Sequence, residues 1–349
     1  MGAVLTLAEA QPLYDPQPGF LNTASFGLPP RQAWDALQTA LEEWRVGRTS
    51  WEGWGQTTEV ARRAFARLVG ADVSDVAVGS AVSQFVGLVA ASMPAGARVV
   101  VPEVEFGSNI FPYQMHEERG VVVDRVRLDE LMDRVDESVD VVAVSVVQSA
   151  SGEVTDLAEL GKRARDAGAL LAVDATQAVG WHPVDVSDVD VLVCAGYKWL
   201  CGLRGTAYCY VSPDVREQLP PLAAGWYAGA DVHSSYYGPR LELAPDARRF
   251  DLSPAWHSWV SAAPALAVLE QVGVEAINAY DVGLANRFRA GLGMPPGNSA
   301  IVSATVPDAD RKLAAAGIRA ATRAGSLRVS FHLYSTEDDV DRALKALTA

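Results

Sequence analysis

Six short, valine-rich runs recur along the chain, separated by stretches with helical periodicity, and this alternation constrains the fold most strongly. The runs lie at residues 97–101, 121–126, 139–147, 169–174, 189–194 and 206–211. Continuous apolar runs of this length are typical of strands buried on both faces of a mostly parallel sheet. A 3.6-residue pattern at residues 155–167, which ends at Gly168, predicts one of the intervening helices. We therefore predict an α/β fold, a three-layer sandwich with a mostly parallel central sheet.

The chain is organised differently beyond the last of these runs. Residues 220–254 predict a loop-rich stretch, and residues 257–278 predict one long helix. A Gly/Pro-rich segment at residues 290–300 then introduces a shorter βαββα pattern, which ends in a predicted helix at residues 336–347. This second pattern predicts a small α+β unit at the C-terminal end.

A chain of 349 residues has room for two domains. We assign residues 31–264 to a large domain that binds the ligand. Residues 1–30 and 265–349 form the predicted small domain, which combines an N-terminal arm with the α+β unit.

Charge and composition exclude several classes of function. The chain has 29 basic and 43 acidic residues, a net charge of −14, so we expect neither nucleic acid nor an anionic membrane surface as a partner. We expect no membrane-spanning helix, because no apolar stretch reaches about 18–20 residues, and no secretory leader. With three cysteines and five histidines outside any metal-ligand spacing, we predict a cytoplasmic protein without disulfides or a metal site.

The ends of two predicted neighbouring strands carry the residues that point to chemistry. One strand ends at Asp174, which Gln177 follows, and the next runs into the segment AGYKWLCGLRG with Lys198. Ligands of α/β sheets bind at these carboxyl ends. A partly desolvated lysine favours the neutral amine that forms Schiff bases, and a nearby carboxylate can keep a pyridine nitrogen protonated. The set indicates pyridoxal phosphate, although Asp and Lys at strand ends are also common as solvated surface groups.

A third segment, GSAVSQFVGLVA at residues 79–90, predicts a Gly/Ser turn that opens a helix. Such a turn offers free backbone N–H groups and the positive end of a helix dipole to a phosphate, although an ordinary capped helix has the same pattern. Together with the lysine segment, it makes the chain resemble the class V aminotransferase family. This family of fold-type I pyridoxal phosphate enzymes includes cysteine desulfurases, kynureninase, isopenicillin N epimerase and C–S lyases.

The resemblance runs nearly from end to end. It is carried by FLNTASFGLPP at residues 20–30, SAVSQ at 80–84, EFGSNIFPY at 105–113, VDATQAVG at 173–180, GYKWLCG at 196–202 and LRVSFHLYSTEDDVD at 327–341. It implies the fold-type I architecture, the cofactor pyridoxal 5'-phosphate and a homodimer whose active sites lie at the subunit interface.

The resemblance also implies how this chain binds the cofactor. Lys198 stands at the position of the Schiff-base lysine, which then serves as the base that removes the substrate Cα proton. Asp174 matches the residue that pairs with the pyridinium nitrogen, and Gln177 matches the one that hydrogen-bonds the phenolate oxygen. Val82 and Ser83 match the phosphate-binding turn.

Further positions match with differences. Phe106 stands where desulfurases carry a histidine stacked on the pyridine ring, and a phenylalanine can stack but cannot transfer a proton. Arg328 matches the arginine that binds the substrate α-carboxylate. Ser253 resembles the position that reaches the phosphate from the neighbouring subunit, although the usual threonine is absent. Asn22 is expected to contact the substrate and Ser149 the cofactor.

Four aromatic residues are predicted to lie in loops where the family builds its pocket walls, so they are candidate pocket residues: Trp51, Trp54, Trp226 and Tyr227. Their bulk would suit a substrate larger than a bare amino acid. The sequence does not identify that substrate.

The choice of reaction turns on a missing cysteine. Cysteine desulfurases carry their sulfur-accepting cysteine on a mobile loop shortly before the C-terminal arginine, whereas the segment TRAGSLRVS here has neither the length nor the cysteine. We therefore predict C–S β-elimination from an S-substituted cysteine rather than persulfide transfer. The alternatives are a class V aminotransferase, oxidative decarboxylation or deamination, epimerisation, and a cofactor-binding protein without activity.

Overall fold

A seven-stranded sheet forms the centre of the molecule in the computed structural model, which describes residues 4–348. Its strands are Val76–Gly79 (β1), Arg98–Pro102 (β2), Val122–Val126 (β3), Val141–Ser145 (β4), Leu170–Asp174 (β5), Val191–Ala195 (β6) and Ala207–Val211 (β7). The spatial order is β1-β7-β6-β5-β4-β2-β3. Strands β3, β2, β4, β5 and β6 run parallel, whereas β7 is antiparallel to both β6 and β1. The predicted mostly parallel sheet is confirmed.

Each of the six valine-rich runs forms one strand of this sheet, and the alternation of their side chains explains the layers. Val100 lies in one apolar core, while Val99 and Val101 lie in a second core on the opposite face. Both faces are therefore buried, as continuous apolar strands require. Strand β1, a four-residue strand at the edge of the sheet, was not predicted from the sequence.

Eleven α-helices surround and extend this sheet within the described residues. They are Leu7–Ala10 (α1), Arg31–Arg45 (α2), Trp51–Leu68 (α3), Val82–Ser92 (α4), Phe111–Gln114 (α5), Leu157–Ala167 (α6), Pro213–Arg216 (α7), Trp256–Val272 (α8), Val274–Gly291 (α9), Ala309–Ala315 (α10) and Glu337–Thr348 (α11). Helix α6 begins after Asp156, whose side chain accepts the Glu159 N–H, and ends at Gly168 in a left-handed conformation. Its predicted end is confirmed.

The predicted single helix at residues 257–278 is wrong in its extent. Two helices occupy this part of the chain, and they break at Gly273, whose φ of 88° is unfavourable for residues with a side chain. Helix α9 then continues to Gly291. No single helix among residues 4–348 is long and apolar enough to cross a membrane. Helices α8 and α9 reach the necessary length and apolar character only when taken together, and the chain bends by 83° between them.

The C-terminal part forms its own small sheet, as the βαββα pattern predicts. Its strands are Ile301–Ala304 (β8), Ala321–Arg323 (β9) and Ser326–Ser330 (β10), in the antiparallel order β8-β10-β9. The N-terminal arm adds to it through bridges from Phe20 and Asn22. The assignment of residues 31–264 and 265–349 to two domains stays a prediction, and α8 crosses that boundary.

A buried ion pair fixes the edge of the large sheet beside the predicted phosphate segment. The guanidinium of Arg62 on α3 donates to both carboxylate oxygens of Asp251, at 2.6 and 3.1 Å, and to the Val76 carbonyl oxygen at 2.6 Å. Asp251 also accepts the Val78 N–H at 2.8 Å. Helix α3, strand β1 and the segment before α8 are therefore held at one point.

Candidate active site

Lys198 lies at the end of β6, three residues after the strand, in a cavity of about 230 Å³. Its Nζ lies 5.4 Å from the centre of the Phe106 ring and 5.9 Å from the centre of the Tyr197 ring. Burial lowers the pKa of Lys198 to about 8, against the opposing effect of the Asp174 carboxylate. A substantial fraction of the amine is therefore neutral near physiological pH, as a nucleophilic or basic lysine requires.

Asp174 is the last residue of β5, the strand next to β6. The carboxylate is buried, and burial raises its pKa, while hydrogen bonds from Thr176 and the charge of Lys198 oppose that rise. The Thr176 N–H donates to it at 2.8 Å, and the Thr176 hydroxyl accepts the Ala195 N–H at 3.0 Å. No cation lies within salt-bridge distance of this carboxylate in residues 4–348, so it is free to pair with a cationic ligand atom.

The first turn of α4 forms another wall of the cavity. Ala81 precedes the helix without capping it, and the N–H groups of Val82 and Ser83 donate to no group of the described residues. Uncapped N–H groups together with the helix dipole are the usual binding site for a phosphate.

Gln177 is fixed by three partners at the cavity wall. Its side-chain nitrogen donates to the Ala24 carbonyl oxygen and to the Ser149 hydroxyl, each at 3.0 Å. Its side-chain oxygen accepts the Trp199 indole N–H at 2.8 Å. The amide orientation is therefore set before any ligand binds.

Arg328 on β10 does not line the cavity, but it donates a hydrogen bond to Ser149, which does. Its Nη1 donates to the carbonyl oxygen and the hydroxyl of Ser149, at 2.6 and 3.2 Å, and its Nη2 donates to the Ser25 hydroxyl at 2.8 Å. Its Nε is buried and has no partner among residues 4–348. Burial, with a contribution from Arg323, lowers the pKa of Arg328 to about 10. No carboxylate compensates this buried charge, which makes it a candidate anion-binding group.

The structure thus brings together most of the residues predicted from the sequence. Seven line one cavity: Val82, Ser83, Phe106, Ser149, Asp174, Gln177 and Lys198. Two do not. Asn22 lies beside Ser330, next to the small sheet, and its side-chain oxygen is buried without a partner. Ser253 is exposed and lies outside the cavity.

The four candidate aromatic residues do not line this cavity either. Trp51 and Trp54 lie on α3 rather than in a loop, and Trp51 packs edge-on against Trp226 and Tyr227, with ring centres 5.1 and 6.4 Å apart. Trp51 and Tyr227 line a separate cavity between α3 and the segment before α8. Trp54 packs instead against His257, with ring centres 4.9 Å apart.

Two residues that were not predicted from the sequence hold the site in place. Glu105, three residues after β2, is buried and accepts the N–H groups of Ser145 and Phe106 at 2.6 and 2.9 Å. It therefore fixes the backbone of Phe106, whose ring faces Lys198. Gly27 packs so closely on the lysine segment that a Cβ there would overlap the Lys198 carbonyl oxygen. Both lie inside the recognised motifs, EFGSNIFPY and FLNTASFG, which was the only available signal.

These residues fit pyridoxal phosphate. The uncapped turn of α4 suits its phosphate, the unpaired Asp174 carboxylate suits its protonated pyridine nitrogen, the Phe106 ring offers a stacking surface, and Lys198 carries an amine of lowered pKa. All four features line one cavity.

Comparisons with known proteins agree with this chemistry. The family "Aminotransferase class-V" matches residues 45–314. The uncharacterized aminotransferase YcbU of Bacillus subtilis is 29% identical over 90% of this chain and 89% of its own length. Two solved structures share the fold: the Escherichia coli cysteine desulfurase CsdA (TM-score 0.84, 20% identity, 99% of this chain and 98% of that one) and the cystine C–S lyase C-DES with its product cysteine persulfide (0.85, 20%, 95% and 97%). A variant of that lyase was solved with glycine covalently linked to its PLP cofactor.

The family match covers more than three quarters of the chain, and the relative from Bacillus subtilis aligns over nearly all of it. The chain belongs to the class V aminotransferase family of pyridoxal phosphate-dependent enzymes.

Proposed function

We propose that this enzyme eliminates a thiol from Cβ of an S-substituted cysteine. The observation that supports this reaction is the absence of a sulfur acceptor. The hairpin that joins β9 to β10 contains only Ala324 and Gly325, and the chain's three cysteines are buried and do not line the cavity: Cys194, Cys201 and Cys209. A desulfurase needs an acceptor thiol at this place, whereas an elimination does not.

Lys198 moves the proton in this reaction. When bound, pyridoxal phosphate supplies the electron sink that stabilises negative charge at the substrate Cα. The neutral Lys198 amine removes the Cα proton, and its lowered pKa keeps it available as a base near pH 8. Phe106 cannot share this task because its ring carries no titratable group, so removal of the Cα proton is assigned to Lys198.

Arg328 orients the substrate. Its guanidinium binds the α-carboxylate, and Ser149 and Ser25 hold the guanidinium in place through hydrogen bonds. A fixed carboxylate presents the Cα–H bond to Lys198 in one orientation, and such positioning is a large part of catalysis.

The elimination consumes only the substrate and one molecule of water. As the proton leaves Cα, the C–S bond breaks, and the sulfur departs with the bonding pair as a thiolate. A thiolate is stable enough to depart without a dedicated acid, and it then takes up a proton from water. The remaining three-carbon enamine hydrolyses to pyruvate and ammonium.

An aminotransferase is the second candidate, because the relative that aligns over 90% of the chain is named an aminotransferase. It differs from a lyase in requiring a 2-oxo acid for continued turnover. The two reactions therefore separate in an assay that omits such an acceptor.

The test is to incubate the purified holoenzyme with S-methyl-L-cysteine and to measure methanethiol, pyruvate and ammonia. We expect all three in equal amounts over many turnovers without an oxo acid, and no product from Lys198→Ala. Lys162→Ala, which changes an exposed lysine on α6, is the matched control. At most one equivalent of oxo acid per site, with further turnover only after an acceptor is added, would identify an aminotransferase instead.

We also propose that the enzyme is a homodimer. An exposed apolar stripe on α2 supports this, since Trp34 and Trp44 are 53% and 63% exposed and Leu41 lies between them on the same helix face. In the dimer, Ser253 serves the partner's phosphate site rather than its own. Sedimentation of a fully active monomer would refute this arrangement.

A cytoplasmic location stays a prediction.

A further inference from the structure

Two arginines meet at one hydroxyl group beside the candidate active site. Nη2 of Arg328 lies 2.8 Å and Nη2 of Arg323 lies 3.3 Å from Oγ of Ser25. Neither guanidinium has a carboxylate within salt-bridge distance in residues 4–348. Arg328 is buried, whereas Arg323 is exposed, so Arg323 lies on the solvent side of the pair.

The tight β9–β10 hairpin produces this arrangement. Its two turn residues, Ala324 and Gly325, have φ values of 47° and 79°, typical of the short turns that join antiparallel strands. Arg323 pairs with Ser326, and Arg328 pairs with Ala321. Because side chains alternate along strands, both arginines project from the same face of the hairpin as diagonal neighbours.

Two like charges on neighbouring positions repel each other, and no acidic side chain of the described residues pairs with either arginine to relieve the repulsion. The charge of Arg323 contributes to the lowered pKa values of both Arg328 and Lys198, after burial as the largest cause. An anion bound between the arginines would relieve it. The Ser25 hydroxyl accepts hydrogen bonds from both, so its own proton is available to donate to that anion.

We propose that Arg323 binds a second anionic group, carried at the end of the substrate side chain. The inference rests on the proposed function, in which Arg328 binds the α-carboxylate. Because Arg323 is the outer residue of the pair, it meets the part of the substrate that extends towards solvent. The enzyme therefore prefers amino acids with a terminal carboxylate or a similar anion on the side chain, for a lyase an acidic S-substituent, over neutral ones such as S-methyl-L-cysteine.

A different arrangement would have both arginines on the α-carboxylate. The two arrangements differ in a testable way. If Arg323 recognises a side-chain anion, its loss affects only acidic ligands; if it supports the α-carboxylate, its loss affects acidic and neutral ligands equally.

The first experiment measures binding by isothermal titration calorimetry on the holoenzyme. The ligands are L-2-aminoadipate, in which a CH2 group replaces the sulfur of S-carboxymethyl-L-cysteine, and its neutral side-chain amide. We expect the wild type to bind the acid at least about tenfold more tightly, as for one charge-assisted hydrogen bond. Arg323→Gln should bind both ligands with the affinity that the wild type has for the amide, Arg323→Lys should keep part of the preference, and Arg311→Gln, on the surface of α10, should keep all of it.

Equal wild-type affinity for the two ligands would overturn the inference, and so would an equal loss of both affinities in Arg323→Gln. A second experiment compares thiol release from S-carboxymethyl-L-cysteine and S-carbamoylmethyl-L-cysteine. Release from both at equal rates would contradict the inference but not the elimination. Tight binding of aminoadipate without release from either compound would reject the elimination while the anion site stands.

Discussion

Nδ1 of His332 lies 2.9 Å from Oδ2 of Asp281, and both side chains are completely buried. The other ring nitrogen, Nε2, lies 3.1 Å from the backbone oxygen of Trp199, the residue after Lys198. A carboxylate and a carbonyl oxygen are both acceptors, so both ring nitrogens carry a proton and the ring is an imidazolium. Burial alone would lower the pKa of His332, but the Cys201 thiol and the Asp281 carboxylate raise it to about 10. Helix α9 and the lysine segment are thus connected through one buried charge.

Asp281→Asn should therefore destabilise the protein strongly. It leaves the His332 charge buried without its counterion, and removing one partner of a buried pair typically costs about 3–5 kcal/mol of unfolding free energy. Urea denaturation at pH 7 measures the loss. Arg287→Ala is the matched control. Arg287 lies on α9, as Asp281 does, and its exposed pair with Asp341 of α11 is expected to contribute only about 0–1 kcal/mol. Equal losses in the two variants would contradict the assignment.

The sequence predicts the centre of the site because that part depends on local order along the chain. Asp174 and Lys198 lie at or just beyond the ends of strands that are easily recognised as buried, and neighbouring parallel strands bring their carboxyl ends to one edge. The uncapped turn of α4 is likewise a local pattern. The role of Arg328 could be predicted only from the family resemblance, because its distance from the cavity depends on how the small sheet packs against the large one.

Other features could not be predicted from local patterns. A lone histidine or arginine such as His332 or Arg62 looks like any surface residue until its partner, distant in sequence, is known. The break at Gly273 was missed because the apolar residues continue on both sides of it. Trp51 and Tyr227 were expected at the pocket, yet aromatic bulk gives no direction, and they line a different cavity.

Gly27→Ala should disturb the lysine segment. The added Cβ would overlap the Lys198 carbonyl oxygen, which is backbone and cannot move aside alone. We expect elimination activity to fall at least tenfold, because a displacement of about 1 Å in a catalytic group can cost 10²-fold. Gly53→Ala on α3 is the control, since its Cβ meets nothing within 4 Å, and it should leave activity intact while adding up to about 1 kcal/mol of stability. Unchanged activity in Gly27→Ala would show that the segment tolerates the shift.

Phe106→Ala should weaken cofactor binding. The ring faces the cavity and Lys198, and an aromatic stacking contact contributes about 0.5–1.5 kcal/mol beyond its buried area. The dissociation constant of pyridoxal phosphate, from a fluorescence titration of apoenzyme, should therefore rise about two- to tenfold or more. Phe111→Ala, which removes an exposed ring outside the cavity, is the control. The same dissociation constant in both variants would mean that the Phe106 ring does not stack on the cofactor.

Lys198→Met should stabilise the apoenzyme at neutral pH, although it removes the reactive amine. Burial lowers the pKa of Lys198 from 10.5 to about 8, so the unfolded chain binds more protons than the folded one between these values. Stability therefore rises with pH across this window, and below pH 8 the charged amine imposes its full cost, up to about 3 kcal/mol. The neutral methionine avoids this cost. Urea denaturation should show Lys198→Met to be more stable than the wild type at pH 7, with the difference shrinking towards pH 10. Lys162→Met controls for the loss of one positive charge. If the stability difference between Lys198→Met and the wild type stays constant from pH 7 to 10, the Lys198 amine is not desolvated as its burial indicates.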